Sequence, residues 1–396
     1  MIDVLVVGIG EYVTGLSGEG VAQSDKSFGV IALSLFDMRE RGVVGEIRLA
    51  GRDAKRFDLI REHFDTNLKA AYPSLDTSFE AHPKEGFSDE AYKEALEELP
   101  KGSCVMLFTP DDTHFKIAKD ALEAGMHVLV AKPLVKTTAE HLELQELAKE
   151  KGLLLMLEVH KRFDPIYADA VDQIRTFGDF SLMHSYMSQP KTQLDTFASW
   201  AGISSDISYY LNAHHIDLLC WAVQGVAEPV SVVATASTGV ADKKLGREVE
   251  DTITLTVQWK NLQSGALGTS VHTASWIAPP SDVHSQQRFF YMGHQGEVTI
   301  DQAHRGYGIS TDENGYKSAN PLFMKYTPRE GKFAGQQGYG YRSIETFVRS
   351  ADTLATEPEK LAAFNQTLPT IENTLNVTKI LEAGRKSLDE GKVIFM

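Results

Sequence analysis

Short apolar runs alternate with longer amphipathic stretches over the first 160 residues, and this alternation constrains the fold more than any other feature. Short β-branched runs separated by amphipathic helices are typical of βαβ units, which build a parallel sheet covered by helices. We therefore predict an α/β, doubly wound N-terminal domain of the Rossmann type. Its predicted strands are 4–7, 46–50, 105–108, 128–130 and 153–157, and its predicted helices are 28–41, 56–71, 113–124 and 139–151.

The pattern changes after about residue 160, where apolar and polar residues alternate with a period of two. This period is typical of an antiparallel sheet with one solvated face, so we predict an α+β domain with a large, mostly antiparallel open sheet. Stretch 76–101 is predicted as a surface helix with loops, and stretch 335–341 as a glycine-rich loop. Strands are predicted at 180–187, 230–238, 252–259, 265–272, 288–293 and 297–300, and helices at 166–177, 209–221 and 371–391.

Length and composition limit the class of protein. A chain of 396 residues exceeds what one hydrophobic core usually serves, so we predict two domains with a boundary after residue 158. The net charge of −15 argues against nucleic acid and anionic membranes as partners. Two cysteines, Cys104 and Cys220, imply no disulfide framework. Because neither a signal peptide nor a transmembrane run is recognisable, we expect a cytoplasmic protein.

The stretch VLVVGIGEYVTG at 4–15 is an apolar strand that runs into two glycines. Dinucleotide-binding domains hold a pyrophosphate at such a turn, where free N–H groups at a helix N-terminus face the anion. Gly8 would allow the tight turn and Gly10 the close approach of the backbone, but Val13 stands where the third glycine is expected. Two glycines after a strand also occur in structural turns, so this motif alone leaves both interpretations open.

The segment that follows the glycines is predicted to be a lengthened phosphate loop. Because the next clear helix begins at about Ser27, residues 11–26 are assigned to this loop. Asp25 or Ser27 is the candidate N-cap. Lys26 is the candidate for a contact with a phosphate oxygen, and 24–27 is the stretch expected to supply the missing contacts.

The residues after the second predicted strand bear on the choice of cofactor. An NAD-binding domain usually places a carboxylate there for the adenine ribose, but this chain has Gly51 followed by Arg52. Without a carboxylate to repel a 2′-phosphate, Arg52 could pair with it, which favours NADP(H) over NAD(H). Alternatively, Arg52 is a solvated loop residue and Asp53 serves the ribose of NAD(H).

The middle of the chain carries a more specific pattern, which reads VMLFTPDDTHFKIAKDALEAGMHVLVAKPLVKTTAEHLELQELAKEKGLLLMLEVHKRFDP at 105–164. This pattern resembles the glucose–fructose oxidoreductase/inositol dehydrogenase/rhizopine-catabolism family of nicotinamide oxidoreductases (Gfo/Idh/MocA), over nearly the whole chain. The resemblance implies that Thr109, Pro110 and His114 line the cofactor near the nicotinamide. It also implies that 1–158 binds the dinucleotide and that 159–396 binds substrate and oligomerises, with the last helix packing back on the body.

The resemblance extends to a Lys-Pro motif after the fourth predicted strand. Ala131-Lys132-Pro133 matches the family's Glu-Lys-Pro, whose lysine contacts the reacting hydroxyl and whose proline is typically cis. Lys132 and Pro133 are accordingly expected at the cofactor and Lys132 also at the substrate. A lysine at the carboxyl end of a sheet strand lies where such domains bind ligands, and desolvation there would lower its pKa.

A second family motif, Asp-x-x-x-His-x-x-Asp, matches the predicted helix over 209–221. Aligning the motif on Asp217 places His214 at the catalytic histidine and Tyr210 at the position of the family's first aspartate. His214 would exchange the substrate's hydroxyl proton, Tyr210 would orient that imidazole or contact a sugar hydroxyl, and Asp217 would lie at the substrate. His215 points elsewhere on the helix and is expected to be packed or solvent-facing. Arg162 either contacts substrate or forms a structural ion pair with Asp164 or Asp169.

These patterns predict an NAD(P)-dependent oxidoreductase that transfers a hydride between nicotinamide and a secondary or anomeric hydroxyl or carbonyl of a sugar, polyol or cyclitol. Two alternatives remain, an NAD-dependent glycoside hydrolase of the same fold and a non-catalytic NADP(H)-binding redox sensor. The histidines show no His-Glu-x-x-His spacing, and no metal is expected. The family commonly uses the C-terminal sheet as a subunit interface, so a homodimer or homotetramer is expected.

Overall fold

The protein's computed structural model describes residues 1–18, 20–22, 26–312 and 315–396. The chain divides into two compact units. The first unit consists of Met1–Leu134, Glu140–Phe163 and Pro321–Glu372, and the second of Val135–Ala139, Asp164–Asn320 and Asn373–Met396. The predicted boundary after residue 158 lies close to the observed change at 163–164. The prediction that all of 159–396 forms one domain is wrong, because 321–372 belongs to the first unit.

The strands and helices follow the predicted alternation in the first part of the chain. The strands are β1 (Ile2–Val7), β2 (Leu16–Ser17), β3 (Gly20–Val21), β4 (Val44–Ala50), β5 (Glu80–His82), β6 (Cys104–Leu107), β7 (His127–Ala131), β8 (Leu155–Glu158), β9 (Phe180–Pro190), β10 (Ala227–Ser237), β11 (Thr252–Asn261), β12 (Leu267–Ala278), β13 (Gln286–Gly293), β14 (Glu297–Asp301), β15 (Gly308–Thr311), β16 (Gly315–Ser318) and β17 (Ile394–Phe395). The helices are α1 (Glu11–Thr14), α2 (Ile31–Glu40), α3 (Arg56–His63), α4 (Lys69–Ala71), α5 (Ala91–Glu97), α6 (His114–Glu123), α7 (Thr138–Lys151), α8 (Pro165–Ile174), α9 (Gln193–Phe197), α10 (Ala213–Ala222), α11 (Ala241–Leu245), α12 (Tyr339–Leu354), α13 (Leu361–Thr367) and α14 (Leu375–Glu390).

A six-stranded parallel sheet forms the centre of the first unit, in the order β5-β4-β1-β6-β7-β8. Strands β6 and β7 are apolar and almost fully buried, as expected for parallel strands covered on both faces. The doubly wound α/β prediction is therefore confirmed. Strand β5 was not predicted, because the polar stretch 76–101 contains only three strand residues at the sheet edge.

The first helix of this sheet is split into two pieces, and the prediction of a lengthened loop over 11–26 is wrong. Helix α1 begins directly after Gly10, and the backbone N–H of Val30 donates to Tyr12 O at 2.8 Å. This bond continues the helical pattern across the gap, as if segment 16–29 were inserted into one helix. Gly29, at φ 71°, closes the insertion, because a Cβ there would lie 2.5 Å from Val13 O.

Helix α12 explains why 321–372 joins the first unit. One of its faces is buried, and Tyr341 on that face donates a hydrogen bond to the Asp37 carboxylate on α2. Gln336 Nε2 also donates to Asp37 Oδ1 at 2.9 Å, and desolvation raises the pKa of this buried carboxyl. The glycine-rich stretch 335–341 therefore runs into the first turn of a core helix and is not a loop throughout.

The second unit contains a seven-stranded sheet in the order β14-β13-β9-β12-β11-β10-β17. Neighbouring strands run antiparallel except β9 and β12, which pair in parallel. Residues of β11 alternate between buried and partly exposed, so one face packs on a core that includes residues of α8, α10 and α14. The prediction of a large, mostly antiparallel open sheet is confirmed. Among the described residues, no helix combines the length and the apolar character needed to cross a membrane.

Candidate active site

The turn after β1 has the shape that a phosphate-binding turn requires. Gly8 has φ 105°, and a side chain on it would overlap the carbonyl oxygen of Phe108. A Cβ on Gly10 would meet no atom within 4 Å, so the backbone there borders open space at the start of α1. Val13 is buried in the core of the unit. The turn therefore fits a pyrophosphate approached by backbone N–H groups.

Lys26 and Ser27 lie shortly before α2, but neither residue caps a helix. Both lie in a turn, and Lys26 O accepts the backbone N–H of Gly29 at 2.8 Å. Helix α2 begins only at Ile31, with Val30 at the N-cap, so the prediction that the helix starts at about Ser27 is wrong. The alternative N-cap Asp25 and the remaining predicted contact Ser24 lie outside the described residues.

Arg52 lies in the loop after β4 with three quarters of its side chain exposed. Its guanidinium is 3.5 Å from the Asp89 carboxylate and 5.8 Å from the centroid of the Phe87 ring. Asp53 Oδ1 accepts the backbone N–H of Lys55 at 3.0 Å, so this carboxylate stabilises the local turn. A phosphate that approaches Arg52 would have only the exposed Asp89 to displace.

The loop after β6 is attached to the segment after β7 through His114. This histidine is fully buried, with Nδ1 2.8 Å from Pro133 O and Nε2 3.0 Å from Thr109 O. Its full burial does not fit the predicted direct contact with a cofactor. The imidazole N–H donates to one of these two carbonyl oxygens, and the ring packs between the two loops. Thr113 Oγ1 donates to Thr109 Oγ1 at 2.7 Å, and Pro110 begins the same turn. Thr109 and Pro110 remain partly or largely exposed.

Lys132 follows β7 at the carboxyl edge of the parallel sheet. The Lys132–Pro133 peptide bond is cis, as the resemblance implied. Burial lowers the pKa of the Lys132 ammonium to about 8, the Asp111 and Glu158 carboxylates act in the opposite direction, and the Lys26 cation adds to the lowering. A lysine with this pKa exchanges its proton near neutral pH, as an acid–base residue must.

Glu158 is a buried carboxylate at this edge that the sequence patterns did not single out. It ends β8, pairs in register with Ala131 of β7, and is only 4% exposed. Ser343 Oγ of α12 donates to Glu158 Oε1 at 2.9 Å, and His160 Nδ1 lies 3.5 Å from the same oxygen. The signal that could have found it is a glutamate in an otherwise apolar strand, LMLE.

The histidine motif lies on two consecutive helical segments of the second unit. Tyr210 belongs to a π-helical turn, Ser208–Asn212, and His214 to the first turn of α10. Tyr210 packs against Phe197 and Trp200, with ring centroids 4.9 and 5.2 Å away, and its hydroxyl is 3.5 Å from Gln189 Nε2. His214 is 7% exposed.

Two further residues of this motif are fully packed. Asp217 has no exposed surface, so the predicted contact with substrate does not fit its position in the core of α10. His215 is 1% exposed, and its Nε2 lies 3.3 Å from the hydroxyl of Tyr167, consistent with the packed role expected for it.

Arg162 is buried in a short 3-10 helix, His160–Phe163, at the end of the first unit. Asp164, one of the two predicted ion-pair partners of Arg162, caps α8 through Ile166 N at 3.0 Å and pairs with Arg305. The side chains of Trp276, His272, Tyr339 and Tyr341 are also buried.

A metal site was not predicted, and among the described residues one group, Glu80, His82 and Glu98, has ligand atoms within 4.8 Å of one another. Both carboxylates already have cationic partners. Glu80 lies 3.0 Å from Arg48 Nε, and Glu98 lies 3.1 Å from Lys84 Nζ. This arrangement is an ion-pair network around a buried imidazole, and the cations compete with any metal.

A cleft of about 570 Å³ in the second unit is lined by residues that include Lys136, Asp206 and Arg385. None of the residues predicted to be catalytic lines it. Arg385 lies 3.3 Å from Asp206 and 2.8 Å from Glu250, so ion pairs already neutralise much of its charge. The cleft is therefore not the active site that the motifs predict.

Comparison with known proteins identifies the family of both parts of the chain. Residues 42–159 match the oxidoreductase family with an NAD-binding Rossmann fold, GFO_IDH_MocA, and residues 170–299 match the GFO/IDH/MocA C-terminal domain. The uncharacterised oxidoreductase YdgJ of Escherichia coli is 30% identical over 172 residues, which is 43% of this chain and 46% of YdgJ.

Two longer matches cover most of the chain. The scyllo-inositol 2-dehydrogenase (NADP(+)) IolW of Bacillus subtilis is 25% identical over 332 residues, 81% of this chain and 87% of IolW. The crystal structure of apo scyllo-inositol dehydrogenase from Lactobacillus casei has a TM-score of 0.66 at 17% identity and covers 100% of this chain and 98% of that one. At this identity the structural match shows the fold alone.

Proposed function

Because the chain belongs to the Gfo/Idh/MocA oxidoreductase family with an NAD-binding Rossmann fold, we propose that it transfers a hydride between a nicotinamide dinucleotide and a carbohydrate. The reacting group would be a secondary or anomeric hydroxyl, or the matching carbonyl, of a sugar, polyol or cyclitol. The similarity to IolW, which is named for scyllo-inositol, supports a cyclitol or sugar substrate. The observation that carries the proposal is Lys132, whose pKa is lowered to about 8 at the carboxyl edge of the sheet.

Lys132 has two roles in this proposal. Its ammonium donates a hydrogen bond to the reacting oxygen and polarises the C–O bond, and near neutral pH it shuttles the proton of that oxygen with His214. The nicotinamide, when bound, supplies the hydride acceptor or donor. His114 contributes indirectly, because its imidazole, between Pro133 O and Thr109 O, holds the segment that carries Lys132.

We propose His214 as the second acid–base residue, which takes the hydroxyl proton in oxidation and returns it in reduction. Its place in the first turn of α10, next to the π-helical turn with Tyr210, supports this role. Asp217 is proposed only to support the helix from within the core, since it has no exposed surface. Arg162 remains a candidate substrate ligand on the basis of the resemblance.

NADP(H) is the proposed cofactor, with NAD(H) as the alternative. The exposed Arg52 guanidinium, the absence of a carboxylate at Gly51 and the use of Asp53 in a local turn support NADP(H). Gly8 and Gly10 are proposed to contact the pyrophosphate. The proposed assembly is a homodimer or homotetramer through the partly exposed face of the second unit's sheet, which light scattering after size exclusion would test.

The proposed function is tested by following A340 with purified protein, each cofactor and a panel of sugars, polyols and cyclitols. We expect substrate-dependent reduction of NADP⁺, or oxidation of NADPH with the matching ketones or lactones. Release of sugar from an aryl glycoside without net cofactor turnover would indicate a glycoside hydrolase instead. Binding of NADPH without turnover of any compound in the panel would contradict the proposal and favour a redox sensor.

A further inference from the structure

The carboxyl edge of the first unit's sheet brings a buried carboxylate next to the lysine of the proposed reaction. Ala131, which precedes Lys132, is the register partner of Glu158 on the neighbouring parallel strand. Both strands end at this pair, so Lys132, the residue after Ala131, lies at the same edge of the sheet as Glu158. Glu158 is 4% exposed, whereas Lys132 keeps partial solvent access. The buried charge is therefore poorly screened by solvent.

The Glu158 carboxylate is held from two sides. Ser343 Oγ on α12 donates a hydrogen bond to Oε1 at 2.9 Å, and His160 Nδ1 lies 3.5 Å from the same oxygen. The His160 ring in turn stacks on Tyr339, with centroids 5.6 Å apart and planes 20° apart. These contacts orient the carboxylate more firmly than packing of a flexible glutamate alone would.

Three charged groups act on the Lys132 ammonium, each from a different element of the same unit. Asp111 lies in the turn after β6, Glu158 at the end of β8, and Lys26 in segment 16–29. The two carboxylates favour the protonated lysine, and Lys26 and burial oppose it. Of the two carboxylates, Asp111 has the larger effect on Lys132 and Glu158 the smaller, and Glu158 is the more deeply buried residue.

We propose that Glu158 is a positioning residue that favours the protonated form of Lys132 at the edge of the sheet, with Ser343 holding the carboxylate in place. The proposal rests on the proposed function, because Lys132 is the residue through which Glu158 acts. It adds a residue to which the sequence analysis gave no role, held by Ser343 of α12, which is far along the chain from Glu158.

The test measures the protonation of Lys132 directly in the apoprotein, by competitive labelling with acetic anhydride across a pH series and peptide-level mass spectrometry. Glu158→Gln keeps the acceptor for Ser343 and removes the charge. We expect the labelling midpoint of Lys132 to move down by about one pH unit, which is a tenfold change in the ratio of protonated to neutral amine. A midpoint equal to that of the wild type would overturn the proposal.

Two matched variants separate charge from packing. Asp37→Asn neutralises another buried carboxylate of the first unit that is also held by a side chain of α12, and it should leave the Lys132 midpoint unchanged. His160→Gln removes the other titratable group that faces Glu158 and should also leave it unchanged. A midpoint that moved with His160→Gln and not with Glu158→Gln would assign the effect to the imidazole and overturn the proposal.

If Glu158→Gln does not fold, Ser343→Ala provides the second test, because it keeps the charge but frees the carboxylate. The Lys132 midpoint should then move in the same direction by less, and an unchanged midpoint would count against the proposal. With a substrate from the panel, kcat/KM is measured against pH. The limb of this pH profile that reports Lys132 should shift in the same direction as the labelling midpoint. Failure to find any substrate would remove the proposed function, while the labelling would still decide the coupling between Glu158 and Lys132.

Discussion

The segment around Lys132 in the first unit and the helix with His214 in the second hold their proposed acid–base residues by different means. Around Lys132, hydrogen bonds and charges dominate: His114 ties two loops together, and Glu158 is anchored by Ser343. Around His214, the neighbouring Tyr210 packs among aromatic rings. From this difference we expect polar contacts to govern the behaviour of Lys132 and aromatic packing to govern that of the helix with His214.

Replacing Lys132 should have the largest effect if this comparison is right. Lys132→Met removes both the polarising charge and the exchangeable proton, so kcat/KM should fall by about 10³ to 10⁴. The A340 assay measures this, and fluorescence titration should show NADP(H) still bound. Lys136→Met is the matched control, because Lys136 Nζ donates to Ser204 O in the second unit. Activity within tenfold of the wild type for Lys132→Met would exclude the proposed role.

Replacing His214 should have the next largest effect. His214→Asn keeps a polar side chain in the first turn of α10 but cannot exchange a proton near neutral pH, so kcat should fall by about 10². The neighbouring His215→Asn serves as control: it loses the contact with Tyr167 and should lower thermal stability without changing the pH profile of kcat. Equal effects of His214→Asn and His215→Asn on kcat would contradict the proposed acid–base role of His214.

Replacing Arg52, the residue proposed to bind the 2′-phosphate, should have a smaller effect, on the affinity for the cofactor. Arg52→Ala should weaken NADP(H) binding by about tenfold and leave NAD(H) binding unchanged, because only the 2′-phosphate would pair with the guanidinium. Asp89→Asn should act in the opposite direction, since it removes the carboxylate 3.5 Å from Arg52. Isothermal titration with both cofactors measures these changes, and equal losses for the two cofactors would refute the NADP(H) assignment.

Tyr210→Phe should have the smallest effect. The hydroxyl lies 3.5 Å from Gln189 Nε2, at the limit of a hydrogen bond, while the ring contacts with Phe197 and Trp200 are kept. We expect kcat to fall by less than about threefold, with an unchanged melting temperature, whereas Tyr210→Ala should destabilise the second unit. A tenfold loss of kcat in Tyr210→Phe would mean that the Tyr210 hydroxyl orients His214. Polar contacts would then matter in both regions.

Local sequence patterns were sufficient for most of the secondary structure and part of the candidate site. The strands around 105–158 and the helices between them follow from apolar runs and amphipathic periods, which depend only on nearby residues. The same patterns missed β5, with only three residues, and the split between α1 and α2. In the split helix, the bond from Val30 N to Tyr12 O joins residues that no local pattern relates.

What the sequence determined by itself is the order of elements and the position of Lys132 at the end of β7, because hydrophobic periodicity and strand ends are local properties. Only the tertiary structure decided that α12 packs in the first unit, that Asp217 is fully buried and that Glu158 stands opposite Ala131. Strand register and helix docking depend on how apolar faces that are far apart in the sequence pack against one another. For that reason Ser343 and Glu158 come into contact in the fold although no sequence motif relates them.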